Sequence, residues 1–176
     1  TVLGKMEYEG VYVDKNVLSE MGEEIKVKID LLCKDIYNHA GCEFNISSPI
    51  QLGDILFETL GLPHGKKGKN GYSTAVDVLE KLAGNYKIVR DILEYRGYAK
   101  LVSTYVKGIF DVSKHYDELN QDYIHPLYKQ ALTQTGRLSS VNPNIQNMPI
   151  RTEMGQVIRK AFVSRFENGK IMSCDY

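Results

Sequence analysis

Thr133 to Arg151 reads TQTGRLSSVNPNIQNMPIR, a run in which polar, hydrogen-bonding side chains outnumber anything that could form a core. It is too polar to be buried and too varied to be a linker. Gly136 and Pro143 punctuate it, Asn142, Asn144, Gln146 and Asn147 supply amide donors and acceptors, and Arg137 and Arg151 stand towards its two ends. A loop of this composition is built to touch something polar.

The run from Thr135 to Ser140, T-G-R-L-S-S, followed from Asn142 by N-P-N-I-Q-N-M-P-I-R, resembles the signature of family A DNA polymerases, the bacterial DNA polymerase I type. Downstream, Cys174-Asp175-Tyr176 resembles the opening of that family's motif A, whose aspartate and following aromatic begin the metal-binding strand of the palm. Upstream, Phe44 to Gly53, Gly71 to Thr74, and Tyr95 to Leu101 with Tyr105 are similar to the family's thumb, so the resemblance covers nearly the whole chain. It implies an α+β fold, mainly helical, in which a thumb of antiparallel long helices is followed by the beginning of a β-containing palm. Residues 1–14 would form a junction from an upstream domain, 15–115 the helical thumb and 116–176 the N-terminal part of the palm. The chain starts at Thr1 without an initiator Met and stops just inside motif A, so it reads as a piece of something larger.

Length and composition permit this. A chain of 176 residues with 43% hydrophobic and 25% charged content can bury one sizeable core or two small ones. No stretch approaches the roughly 20 apolar residues of a membrane span, and no basic, apolar leader opens the chain. Cys33, Cys42 and Cys174 lack C-x-x-C spacing, which argues against a disulfide framework or zinc site and fits a reducing cytoplasm. A monomer in the bacterial cytoplasm, associated with the nucleoid, is the corresponding expectation. The net charge is zero, which argues against a protein that coats nucleic acid, but its distribution is uneven. Seven basic residues against two acidic ones between Lys129 and Lys170 leave a local excess of +5, whereas residues 1–30 hold four basic and seven acidic side chains. Phosphate would be attracted to the signature region and repelled from the N-terminal end.

Periodicity and capping predict the elements. Thr1 to Asp14 reads as a helix end running into a short extended piece, and Asp14 caps a long amphipathic helix with apolar positions Val17, Met21, Ile25, Ile29, Leu32 and Ile36 that Gly41 stops. Ser48-Pro49-Ile50-Gln51 reads as a capping box with proline at the first helical position, opening a helix that ends at Leu60-Gly61. Thr74 to Asp77 repeats that logic for a short helix, and Tyr86 to Val106 traces a second long helix able to pair antiparallel with the first. Residues 111–121 read as a polar connection, Tyr123 to Thr133 as a strand shortened or held to an edge by Pro126, Gln156 to Phe162 as a short helix or turn, and Ile171 to Tyr176 as a strand.

The chemistry implied by the resemblance is nucleotidyl transfer onto a DNA primer, with primer–template DNA and deoxynucleoside triphosphates as partners of the intact enzyme. A polymerase must hold a duplex without reading its sequence, which calls for phosphate contacts for position and minor-groove contacts for geometry. Every correct pair offers an acceptor in the minor groove, purine N3 or pyrimidine O2, at nearly equivalent places, so one donor can accept all four pairs. By resemblance, Arg137 is the primer-terminus arginine, Asn144, Gln146 and Asn147 are minor-groove and backbone contacts, and Arg151 and Lys100 hold template or primer backbone. Lys66, Lys67 and Lys69 lie in a glycine-rich loop that is either a solvated flexible loop or a phosphate-contacting thumb tip. Ser73 and Thr74 present exposed hydroxyls where an anion could meet a helix N-terminus, although capping alone explains both. Surface ion pairing is the bland alternative for the arginines, and loop self-capping for Asn142 and Asn144. His39, His64, His115 and His125 show no ligand spacing.

Asp175 is the implied catalytic residue and metal ligand, with the backbone carbonyl of Tyr176 as a further ligand, in a two-Mg²⁺ site whose ions lie roughly 3.5–4 Å apart. That site would be incomplete within this chain, so the chain alone is expected to be inactive as a DNA-directed DNA polymerase. The rival reading is a non-catalytic duplex DNA-binding module derived from the polymerase fold. A helical protein-interaction domain would use the capped helices but leave Thr133 to Arg151 unexplained.

Overall fold

A computed structural model of the chain describes residues 1–69, 71–149 and 153–174, with residues 153 and 154 described by their backbone only. The described residues are about half helical with small antiparallel sheets, an α+β fold dominated by helix, and they divide into two compact units. Glu24–Lys100 forms one unit; Thr1–Glu23 and Leu101–Tyr176 form the other, so the division falls inside one long helix and at the end of another.

The first long helix exists because Asp14 starts it and Gly41 ends it. The Asp14 carboxylate accepts the backbone N–H of Asn16 at 2.9 Å and of Val17 at 3.4 Å, donors that no helical carbonyl can reach. Helix α2 (Lys15–Ala40) follows an α1 of Val2–Glu9, and along it Leu18, Met21, Ile25, Ile36 and Ala40 are buried on one stripe. Gly41, at φ 75°, closes it with an N–H donated to the Tyr37 carbonyl at 2.9 Å.

In the helical unit, Ser48 caps α3 (Pro49–Gly53) by accepting the Gln51 N–H at 3.4 Å. The reciprocal arm of the expected capping box goes elsewhere, since Gln51 Oε1 accepts the N–H of Asn45 at 2.8 Å. α3 continues as a π-helical stretch, Asp54–Thr59. α4 (Val76–Ala83) and α5 (Lys87–Leu101) complete the unit. Lys87 Nζ reaches Asp35 at 3.0 Å while Lys28 Nζ lies 5.7 Å from the Tyr98 ring centre, so α5 runs antiparallel to the Glu24–Ala40 part of α2. Ile36, Ile46, Leu52, Leu56, Phe57, Leu79, Val89 and Ile92 form the core between these helices.

The other unit carries both sheets. β1 (Val11–Tyr12), β2 (Lys114–Tyr116) and β3 (Gln121–Ile124) form an antiparallel sheet in the order β1-β3-β2, and β4 (Leu127–Lys129) pairs with β5 (Ser139–Val141) in a separate hairpin. A π-helical stretch (Val102–Lys107), α6 (Gly108–Val112) and α7 (Glu153–Lys160) belong to the same unit, in which Val13, Leu18, Met21, Ile109, Ile124, Ile158 and Ala161 are buried. Gly10 makes the first turn possible. Its φ is 69°, and a Cβ there would stand 2.7 Å from both the Ile124 carbonyl oxygen and the His125 ring.

Three expectations are corrected. The single strand over Tyr123 to Thr133 is two strands in two sheets, because Pro126 has no N–H to continue the β3 ladder and the chain changes partner there. The polar connection after Asp111 contains β2, whose three residues are all exposed and therefore show no period-two burial. Residues 171–174 are not a strand, since a strand needs a neighbouring ladder, and Ile171 and Met172 are 62% and 83% exposed.

Ile92 has no exposure, so Ile92→Ala is expected to cost about 2–5 kcal/mol. Val27→Ala, on the exposed side of α2, should stay within about 0.5 kcal/mol. Urea denaturation of the two variants beside the parent chain measures both.

Candidate nucleic-acid interface

The polar run Thr133 to Pro149 is a hairpin head followed by a tightly wound loop. Arg137 is exposed at the head, where Thr133 Oγ1 donates to its carbonyl at 2.5 Å and Gly136 takes φ 74°. Beyond β5 the loop folds back on Ser140, which has no exposure. Ser140 Oγ donates to Asn144 Oδ1 at 3.3 Å and accepts the N–H groups of Ile145 at 3.1 Å and Gln146 at 3.3 Å. The Ser140 N–H in turn donates to Gln146 Oε1 at 2.6 Å, and the Gln146 N–H also reaches Asn144 Oδ1 at 3.2 Å. The buried hydroxyl of Tyr105 donates to the carbonyl of Asn147 and holds the far end; burial raises the pKa of that phenol. The Asn142–Pro143 bond is cis.

Asn144, Gln146 and Asn147 are exposed, and the side-chain oxygens of the first two are engaged inside the loop. Self-capping therefore does occur at Asn144, as the bland alternative held, and it leaves the outward edge of these amides to their NH₂ donors. Ser140 and Tyr105 were not singled out as functional from sequence. Only the serine's position inside a polar run hinted at its part.

In the helical unit, a cleft of about 660 Å³ is lined by Lys66, Lys69, Tyr72, Ser73, Thr74 and Arg96 among others. Thr74 differs from expectation. It is buried rather than exposed, it does not cap α4, whose N-cap is Ala75, and Arg96 claims it: one guanidinium nitrogen donates to the Thr74 carbonyl at 2.5 Å and another to its hydroxyl at 3.1 Å. Ser73 Oγ accepts the Ala75 N–H at 3.5 Å. Arg96 is half-buried, and desolvation pulls its pKa down from the usual arginine value without removing the charge at neutral pH. The cleft thus gathers one inner guanidinium and two exposed lysines, Lys66 and Lys69.

Lys67 is committed elsewhere. Its ammonium is 2.8 Å from Glu58 and 4.9 Å from the Tyr72 ring centre, and the Tyr72 hydroxyl donates to the same Glu58 carboxylate at 2.9 Å. Arg165 is likewise ion-paired with Glu9, so one of the positive charges counted near the signature is answered by the acidic N-terminal segment. Lys100 is exposed near the end of α5. Arg151, Asp175 and Tyr176 lie outside the described residues. Among the described residues, no group of three or more His, Cys, Asp and Glu side chains could hold a metal ion, and Cys33, Cys42 and Cys174 are free thiols. No helix among them is long and apolar enough to cross a membrane.

A family model described as DNA polymerase family A matches residues 15–176. The chain is 54% identical over 177 residues to DNA polymerase I of Streptococcus pneumoniae, covering 99% of this chain and 20% of that protein. It is 50% identical over 175 residues to DNA polymerase I of Bacillus subtilis, covering 99% and 19%. Among solved structures, the POL domain of Pol1 from M. smegmatis, in complex with DNA primer-template and dNTP, is similar with a TM-score of 0.79 and 36% identity, over 92% of this chain and 28% of that one. The chain spans about a fifth of the length of these curated relatives.

The Glu58 carboxyl is held below the usual carboxylate range, first by the hydrogen bond from Lys67 and then by that from Tyr72. A depressed folded-state pKa contributes order that is present above the ordinary carboxylate value and is lost as pH falls through the folded one. The amide resonances of Gly68 and Gly71, which bond each other at 3.0 and 3.2 Å beside this group, are expected to move in one step on the acid side of the ordinary carboxylate range. Glu58→Gln should abolish that step; an unchanged titration in the variant would assign it to another carboxylate.

Proposed function

The chain belongs to DNA polymerase family A, and we propose that in its parent protein it grips the primer–template duplex for template-directed DNA synthesis from deoxynucleoside triphosphates. The helical part, residues 15–115, acts as the thumb and residues 116–176 begin the palm, with residues 1–14 as the junction. The observation that carries this function is the loop wound on Ser140: its backbone and amide oxygens are engaged internally while Arg137, Asn144 and Gln146 remain exposed. A surface of fixed donors suits a partner that offers an acceptor at each base pair whatever the sequence. The relative of known structure held primer–template DNA and dNTP, which supports the same partners for this chain.

Two kinds of contact divide the work. Lys66, Lys69 and Arg96, together with Lys100, supply positive charge to phosphate, and Ser73 lines the same cleft as the first three. Thr74 acts through Arg96, which it holds by two hydrogen bonds. Lys67 serves mainly to shape the basic loop through Glu58. Arg137 approaches the primer terminus from the minor groove, with Asn144, Gln146 and Asn147 beside it, and Arg151 follows on the same segment. The divalent-metal chemistry of the reaction falls to Asp175 and the carbonyl of Tyr176 on the motif they form. The parent protein acts in the bacterial cytoplasm as a monomer on chromosomal DNA.

Binding of a short primer–template duplex by the intact parent protein, followed by fluorescence anisotropy across a salt series, tests the grip. Affinity is expected to fall as salt rises, and Lys66→Ala and Lys69→Ala should each lower the salt slope by about 1. Binding that ignores salt would remove the phosphate-gripping role.

Arg137→Ala is expected to behave differently, slowing single-turnover extension from a paired primer end by roughly tenfold or more, an interaction of about 1–3 kcal/mol, with little change in salt slope. An unchanged extension rate with weakened DNA binding would make Arg137 a phosphate contact instead.

A further inference from the structure

We infer that Ser140 is a positioning residue that sets the direction of the recognition amides, turning the side-chain oxygens of Asn144 and Gln146 into the loop and their NH₂ groups towards the bound duplex. The inference deepens the duplex-gripping function and rests on it.

A primary amide has an acceptor end and a donor end that differ by only a half-turn, and an exposed amide in water has little reason to choose. Here the choice is made by a buried group. Ser140 lies on β5 opposite Tyr128, and β5 has a strand neighbour on one side only. On the other side its N–H has no ladder carbonyl to meet, and Gln146 Oε1 takes that place at 2.6 Å. The side chain of Gln146 thus serves as the missing strand's acceptor and cannot also turn its oxygen outwards. The Ser140 hydroxyl spends its one proton on Asn144 Oδ1 at 3.3 Å and its lone pairs on the Ile145 and Gln146 N–H groups. Asn144 Oδ1 receives a second donor, the Gln146 N–H, at 3.2 Å. Both amide oxygens are anchored by groups that are themselves fixed, so each NH₂ is left on the exposed edge.

Donors on that edge match purine N3 and pyrimidine O2, which every base pair presents in the minor groove. Acceptors on that edge would repel the same atoms. The serine therefore controls the sign of the recognition while touching no DNA. Alanine at this position removes the donor to Asn144 and the acceptor shared by two N–H groups, so the Asn144 amide is released and the loop beneath Gln146 is loosened, while the backbone N–H that holds Gln146 Oε1 remains.

The test uses the intact parent protein and two primer–template duplexes that differ only near the primer end, where one carries 3-deazaadenine, with a C–H in place of the minor-groove N3. The wild-type protein is expected to bind the deaza duplex about fivefold more weakly, the worth of one average hydrogen bond. Ser140→Ala is expected to show a smaller difference between the two duplexes, because the Asn144 amide is no longer directed, with the wild-type salt slope, since its phosphate contacts are untouched. Asn144→Asp and Gln146→Glu keep the inward oxygen, so their loops remain wound, but each replaces one outward donor with an acceptor and should also reduce the preference for N3. If Ser140→Ala does not fold by circular dichroism, these two variants decide. An N3 preference undiminished from wild type in Ser140→Ala, or in both carboxylate variants, overturns the inference. Salt-dependent wild-type binding without any N3 preference also overturns it while leaving the duplex grip standing; binding with neither property brings down both.

Discussion

The buried hydroxyl of Ser140 and the N–H beside it impose the constraint on which the polar loop depends. A backbone donor taken out of water must find an acceptor, and the cost of failing is about 1–3 kcal/mol. β5 meets that requirement on one edge with β4 and on the other with the Gln146 side chain. The same constraint extends outward through the unit. Tyr128, opposite Ser140, donates its N–H to Glu7 Oε1 at 2.7 Å, and His125 Nδ1 donates to the Glu7 carbonyl at 2.9 Å, so the hairpin is tied to α1. With Nδ1 as donor, His125 Nε2 is left to accept from the Tyr116 hydroxyl at 3.0 Å. The amides at the loop surface thus stand on a hairpin whose other strand is anchored near the N-terminus.

Charge is organised in the opposite way, by separating what is spent from what is offered. In the helical unit Lys87 is bound by Asp35 at 3.0 Å and Asp91 at 2.8 Å, and Lys67 by Glu58 at 2.8 Å, so these cations serve the fold. Exposed pairs of this kind contribute little stability each, but they fix where the lysines point. Arg96 is different because it is half-buried and its hydrogen bonds go to a neutral residue, Thr74, leaving its charge uncancelled by them inside the cleft. Lys66 and Lys69 remain exposed at the mouth. A chain with no net charge can in this way hold a local positive surface.

The helices were legible because their determinants are local. Asp14, Ser48 and Gly41 act within a few residues of themselves, and the stripe from Met21 to Ile36 repeats at the helical period. The sheets were less so: β2 is exposed on every residue, and the change of sheet at Pro126 depends on which strand lies alongside. The polar run from Thr133 announced itself by composition, and its family resemblance came with it. Its internal wiring did not, since nothing in the letters says which of several hydroxyls and amides goes inside.

Sequence by itself determined the helix-dominated α+β class, the capping of the long helix and the membership in a polymerase family, all of which rest on short-range patterns or on a long run of matching residues. Tertiary structure alone decided that Thr74 is buried under Arg96 rather than exposed, that Arg165 meets Glu9 across 156 positions of chain, and that Ser140 has no exposure. The physical reason is the same in each case. A polar side chain takes whichever partner the packed chain brings within about 3 Å, and over long separations that partner is chosen by the fold, not by the residue's neighbours in sequence.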